Sequence, residues 1–106
     1  MQLDVYFEER HHRVTVDPET FVSAAAIFTR MDRDMDGGWQ MSREHVDRPN
    51  STQRAQIVAD KLATALDNDN RPLAEVMAAY LLSRMPTLQG VRVASDGEMQ
   101  DTELLF

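Results

Sequence analysis

The pattern predicts an α+β fold: a four-stranded antiparallel sheet, from an N-terminal and a C-terminal strand pair, with three to four helices packed on it. Three observations carry this. Apolar and polar residues alternate at both ends of the chain, as in half-buried strands. Between them, apolar residues recur at helical spacing and are punctuated by helix caps and prolines. A length of 106 residues suits a single domain over 1–106.

Leu3, Val5 and Phe7 alternate with Asp4, Tyr6 and Glu8, which predicts a first strand. Val14 and Val16 continue the pattern, with Arg13 and Thr15 on the other face. The polar tract Glu9-Arg10-His11-His12 joins the two strands as a hairpin. Asp17-Pro18-Glu19 is a helix start: Asp17 caps free N–H groups, Pro18 suits the first turn, and Glu19 complements the dipole. Phe21, Ala24, Ala25, Phe28 and Met31 form its apolar face, and the helix is expected to end near Met31. Ser42 is expected to cap a short helix through Val46, closed before Pro49.

Asn50, Ser51 or Thr52 caps the next helix, whose apolar face is Ala55, Val58, Ala59, Leu62, Ala65 and Leu66. Asp67-Asn68-Asp69-Asn70 breaks it. Pro72 opens another helix carrying Leu73, Val76, Met77, Tyr80, Leu81 and Met85, and Pro86 stops it. The link between these two helices is short, so they are expected to pack antiparallel. Val91-Arg92-Val93 reads as a strand, Ser95-Asp96-Gly97 as a turn, and Thr102–Phe106 as a final strand.

Composition narrows the function classes. Eleven Lys+Arg against 18 Asp+Glu leave a net charge of −7. That balance opposes nucleic acid, whose phosphates need a basic face, and anionic membrane. The absence of cysteine excludes disulfides, thiolate metal sites and cysteine nucleophiles. No basic-then-apolar leader and no long apolar run occurs, so a cytoplasmic protein is the expectation. His11 and His12 are adjacent, and neighbours in regular strand point to opposite faces, so they do not share a metal and read as exposed turn histidines. No nucleophile elbow, phosphate loop or dinucleotide fingerprint is present, and no catalytic activity is expected.

The one motif with its own chemistry is Asp32-Arg33-Asp34-Met35-Asp36-Gly37-Gly38-Trp39. Acids fall at positions 1, 3 and 5 of a loop with glycine at position 6, and this resembles the EF-hand calcium loop. The resemblance implies calcium held by Asp32, Asp34, Asp36 and the Gly38 carbonyl. Arg43 stands where the family has its bidentate glutamate at position 12. Glu44 is one residue late, about 100° around a helix, and reaches the ion only if the loop bulges. No second Asp-x-Asp-x-Asp-Gly occurs. Such a site would make the domain a calcium-binding structural or sensor module.

The same stretch supports an alternative. Met35, Trp39 and Met41 cluster there, with Met31 nearby, and methionine recurs on adaptable binding surfaces. Together with the apolar C-terminal Leu104-Leu105-Phe106, they imply a metal-free interaction module that meets a protein partner or forms a homodimer. Trp39 and Met41 plugging the end of the core is the competing structural role.

Overall fold

The computed structural model describes all residues 1–106. Strands β1 (Gln2–Phe7) and β2 (Arg10–Thr15) form an antiparallel hairpin, with Leu3 opposite Val14 and Val5 opposite His12. The turn is Glu8–Glu9, so His11 and His12 lie within β2 rather than in the connection. Both turn residues have positive φ, 51° and 63°. That is the backbone of the tight turn favoured in two-residue hairpins, here without the usual Asn-Gly.

Asp17 caps helix α1 (Pro18–Ser23) by accepting from the Glu19 amide at 2.9 Å. The expected single helix is broken at Ala24, and α2 (Ala25–Asp36) runs on beyond Met31 through the whole aspartate series. The chain then forms a small hairpin, β3 (Trp39–Met41) with β4 (Glu44–Val46), where a short helix was expected. The residues explain the difference. Trp39 and Met41 alternate with Gln40, so a strand places both apolar side chains on one side. Asn50 caps α3 (Ser51–Asp67) through a reciprocal capping box with Gln53. Asn70 caps α4 (Arg71–Arg84), which packs against α3 across the short Asn68–Asn70 link.

β5 (Gly90–Arg92) and β6 (Glu103–Leu105) close the fold, separated by a single 3₁₀ turn at Met99–Asp101. The order is β2-β1-β5-β6. β1 pairs with β5 in parallel, and both outer pairs are antiparallel, so the sheet is mixed rather than wholly antiparallel. The reason is connectivity. A long helical crossover between Thr15 and Gly90 delivers β5 in the same direction as β1, which a tight turn could not do. The two backbones come close at Gly90, where a Cβ would lie 2.8 Å from the Asp4 carbonyl oxygen.

One face of the sheet buries Leu3, Val5, Val14 and Val91 against the helices, in a single core of 25 residues that includes Phe28, Ile57, Leu62 and Leu81. The other face is polar. Tyr6 stacks on His11, and Asp4 accepts hydrogen bonds from His11 and Arg13. The C-terminal segment is the edge strand β6, with Leu104 packed against the core and Phe106 exposed. No helix is long and apolar enough to cross a membrane.

Candidate functional site

The aspartate series is helical, and helical geometry decides what it does. At about 100° per residue, Asp32 and Asp36 fall on one flank of α2, while Asp34 points about 200° away from Asp32. Phe28 and Met35 face the core between them. Asp32 accepts from the Tyr80 hydroxyl at 2.5 Å and from Arg84 Nε and Nη2 at 3.2 and 2.7 Å. Asp36 accepts from Arg54 Nη2 at 2.5 Å. Asp34 is exposed, and Glu44 accepts from the Gln100 amide at 3.1 Å. Gly38 has φ +98° at the entrance to β3 and sits against His45.

The set Asp32, Asp34, Asp36, Gly38 and Glu44 is therefore not drawn around one point, and no group of three or more His, Asp or Glu converges to hold a metal ion. The flanking elements are a helix and a hairpin, not two helices. A calcium ion gathering the three aspartates would have to unwind the last turns of α2 and release Tyr80, Arg54 and Arg84.

Burial separates the aromatic and sulfur cluster in the same way. Met35 and Met41 are buried in the core, so neither offers a surface to a partner. Trp39 is half-buried, and the Lys61 ammonium lies 4.8 Å above its ring in a cation–π contact. Lys61 thus has a specific neighbour.

Two depressions flank α2. The first, about 650 Å³, lies between the end of α2, the start of α3 and the end of α4. Arg54 is its fixed element. Its Nε donates to the Pro49 carbonyl at 2.9 Å, Nη1 to the Asp32 carbonyl at 3.2 Å, and Nη2 to the Asp36 carboxylate. Burial alone would raise the Asp32 pKa. The hydrogen bonds from Tyr80 and Arg84, with the charges of Arg84 and Arg54, overcome this and hold it below its ordinary value. Burial, followed by the bond to Asp32 and its charge, pushes the Tyr80 phenol well up. Tyr80 is therefore a donor here and no base.

The second depression, about 330 Å³, lies on the opposite flank. Its apolar lining includes Ile27 and Met31 of α2 and Leu73 and Met77 of α4; Asp60, Lys61 and Thr64 of α3 border it. Ile27 and Leu73 remain 47 % and 43 % exposed. Met31 and Lys61 also line a small adjoining recess with Asp34 and Trp39, so the apolar surface runs on to the tryptophan. Burial raises the Asp60 pKa against the opposing Lys61 charge, and the Thr64 hydroxyl donates to the Asp60 backbone carbonyl rather than to this carboxylate, which stays partly open to solvent.

Sequence reasoning missed Arg54, Arg84 and Tyr80 as partners of the aspartates, because a lone arginine carries no sign of a partner 22 or 52 residues away. It also missed Ile27. A signal was present there: Ile27 and Met31 are four residues apart and form a stripe beside the core stripe. Compared with family models, with curated proteins and with solved structures, the chain matches none.

Proposed function

We propose that this domain is a protein-interaction module whose groove between α2, α3 and α4 takes an apolar, basic-flanked segment of another protein. The observation that carries the reading is the groove itself: apolar side chains from two helices stay exposed beside a carboxylate partly open to solvent. Ile27, Met31, Leu73 and Met77 supply the apolar lining. Such a surface between helices suits an amphipathic helix with apolar anchors. Charge selects the partner further. Asp34 and Asp60 border the two recesses against Lys61 alone, whose ammonium is already engaged by Trp39. A Lys or Arg from the partner would give Asp60 a donor and offset the cost of its burial.

Titration with a short amphipathic Leu/Lys peptide, followed by Trp39 emission and by amide shifts, tests this. Saturable binding is expected, with the shifts concentrated on Ile27–Trp39 and Leu73–Met77. Leu73→Glu is expected to abolish it, and Asp60→Asn to weaken it about fivefold, as for loss of one partly exposed ion pair. Undiminished binding to Leu73→Glu, or no saturable response, overturns the reading. A dimer in light scattering that Leu73→Glu disperses also overturns it, in favour of a second copy of this chain.

A further inference from the structure

We propose that the polar cavity on the other flank of α2 binds a small organic anion, a carboxylate or phosphate head on an apolar body. The inference is independent of the groove. Three arginines, Arg48, Arg54 and Arg84, line this cavity against two aspartates, Asp32 and Asp36. The balance is 3 − 2 = +1, on a chain whose net charge is −7. Arg54 and Arg84 are paired with the two aspartates, so the surplus positive charge of the cavity is that of Arg48.

Two of the arginines are already held in place. Arg54 uses three of its donors on Pro49, Asp32 and Asp36, and Arg84 uses three on Asp32 and Ser83. A guanidinium has five N–H groups, so each keeps donors in reserve. An anion meeting such fixed groups loses less side-chain freedom on binding. Arg48 differs, for it lines the cavity and makes no ion pair within the chain.

The aspartates repel a negative head from the α2 wall. That leaves the head to Arg48, the Ser51 hydroxyl and the outer edge of Arg84. Pro49, Ala55, Leu81 and Met85 supply apolar lining for the body of the ligand. The volume of about 650 Å³ lies within the ~300–1,000 Å³ of small-molecule sites.

The experiment is calorimetric and NMR titration of the whole chain with benzoate, phenyl phosphate and inorganic phosphate. Saturable amide shifts are expected at residues 48–55 and 80–85 with at least one organic anion. The two organic arms tell which head is preferred. Arg48→Gln removes a side chain that holds no other group, so the melting temperature is expected to stay the same. Binding is expected to weaken about tenfold, as for loss of a charge-assisted hydrogen bond. Leu73→Glu is expected to leave anion binding intact, which separates this cavity from the groove. Equal binding to Arg48→Gln, or shifts scattered over the surface, overturns the proposal. Inorganic phosphate binding as tightly as phenyl phosphate overturns the assignment of an organic ligand.

Discussion

Asp32→Asn tests the central polar network with little change of shape. The amide keeps an oxygen for the Tyr80 hydroxyl but carries no charge for Arg84 or Arg54. In the wild type, Asp32 accepts from Tyr80 at 2.5 Å and twice from Arg84, with Arg54 Nη1 at 3.5 Å. Hydrogen bonds to charged groups contribute about 1.5–3 kcal/mol, and exposed ion pairs about 0–1 kcal/mol. The Arg84 side chain is 41 % exposed and that of Asp32 29 %, so the Arg84 pairing belongs near the top of the exposed range. The Tyr80 bond is better shielded, and a neutral acceptor keeps roughly half of its strength. The sum is a loss of about 2 kcal/mol. At about 4–8 °C per kcal/mol for a domain near this size, the melting temperature falls by roughly 8–16 °C.

The pH dependence makes the test specific. The folded Asp32 pKa lies below the reference value of 3.8, despite burial that would raise it, because Tyr80, Arg84 and Arg54 favour the ionised form. A depressed carboxyl stabilises the fold fully above its unfolded pKa. That contribution is lost as pH falls through the folded pKa. Urea unfolding, followed by Trp39 emission and circular dichroism, measures the stability gap between wild type and variant. The gap is expected to be constant from about pH 5 to 8 and to close once pH drops below about 4. A gap under about 0.5 kcal/mol at neutral pH refutes the network's contribution. A gap of full size that persists under acid shows that something other than the Asp32 charge produces it.

Two further predictions concern the sheet. Glu9→Gly is expected to stabilise the protein by about 0.5–1 kcal/mol: relief of the left-handed backbone, φ 63° at present, outweighs the added freedom of the unfolded chain. A lower melting temperature would show that this turn is not strained. Gly90→Ala is expected to cost about 1–3 kcal/mol, because the new Cβ would lie 2.8 Å from a backbone oxygen of β1 that cannot move alone. Hydrogen exchange is expected to quicken first at Asp4, whose amide bonds the Gln89 carbonyl beside that contact.

The features legible in the sequence are those decided within a few residues. Asp17 and Asn50 act as caps because each side chain bonds an amide two or three positions ahead. The alternation of Leu3, Val5 and Phe7 likewise gave β1 and its buried side. The parallel pairing of β1 with β5 was not legible, because the strand pattern carries no direction. Direction comes from the whole crossover between them, and an antiparallel arrangement buries the same side chains.

The aspartate series marks the boundary between these cases. Asp-x-Asp-x-Asp-Gly suits a cation-binding loop, but it also fits a helix end at a modest cost in propensity. Three acids near the negative end of a helix dipole disfavour the helix further. What opposes both costs is distant in sequence. Arg54, Arg84 and Tyr80 supply positive charge and hydrogen bonds to Asp32 and Asp36, while Phe28 and Met35 anchor α2 in the core between its flanks. The same two carboxylates that resembled metal ligands thus hold two arginines at the wall of a cavity. Spacing that would converge oxygens in a loop divides them in a helix, with Asp32 and Asp36 beside the arginines and Asp34 beside the apolar groove. Helical periodicity, rather than the motif, assigns the three acids to two different surfaces. A variant that loosened the end of α2 would be expected to disturb both surfaces at once.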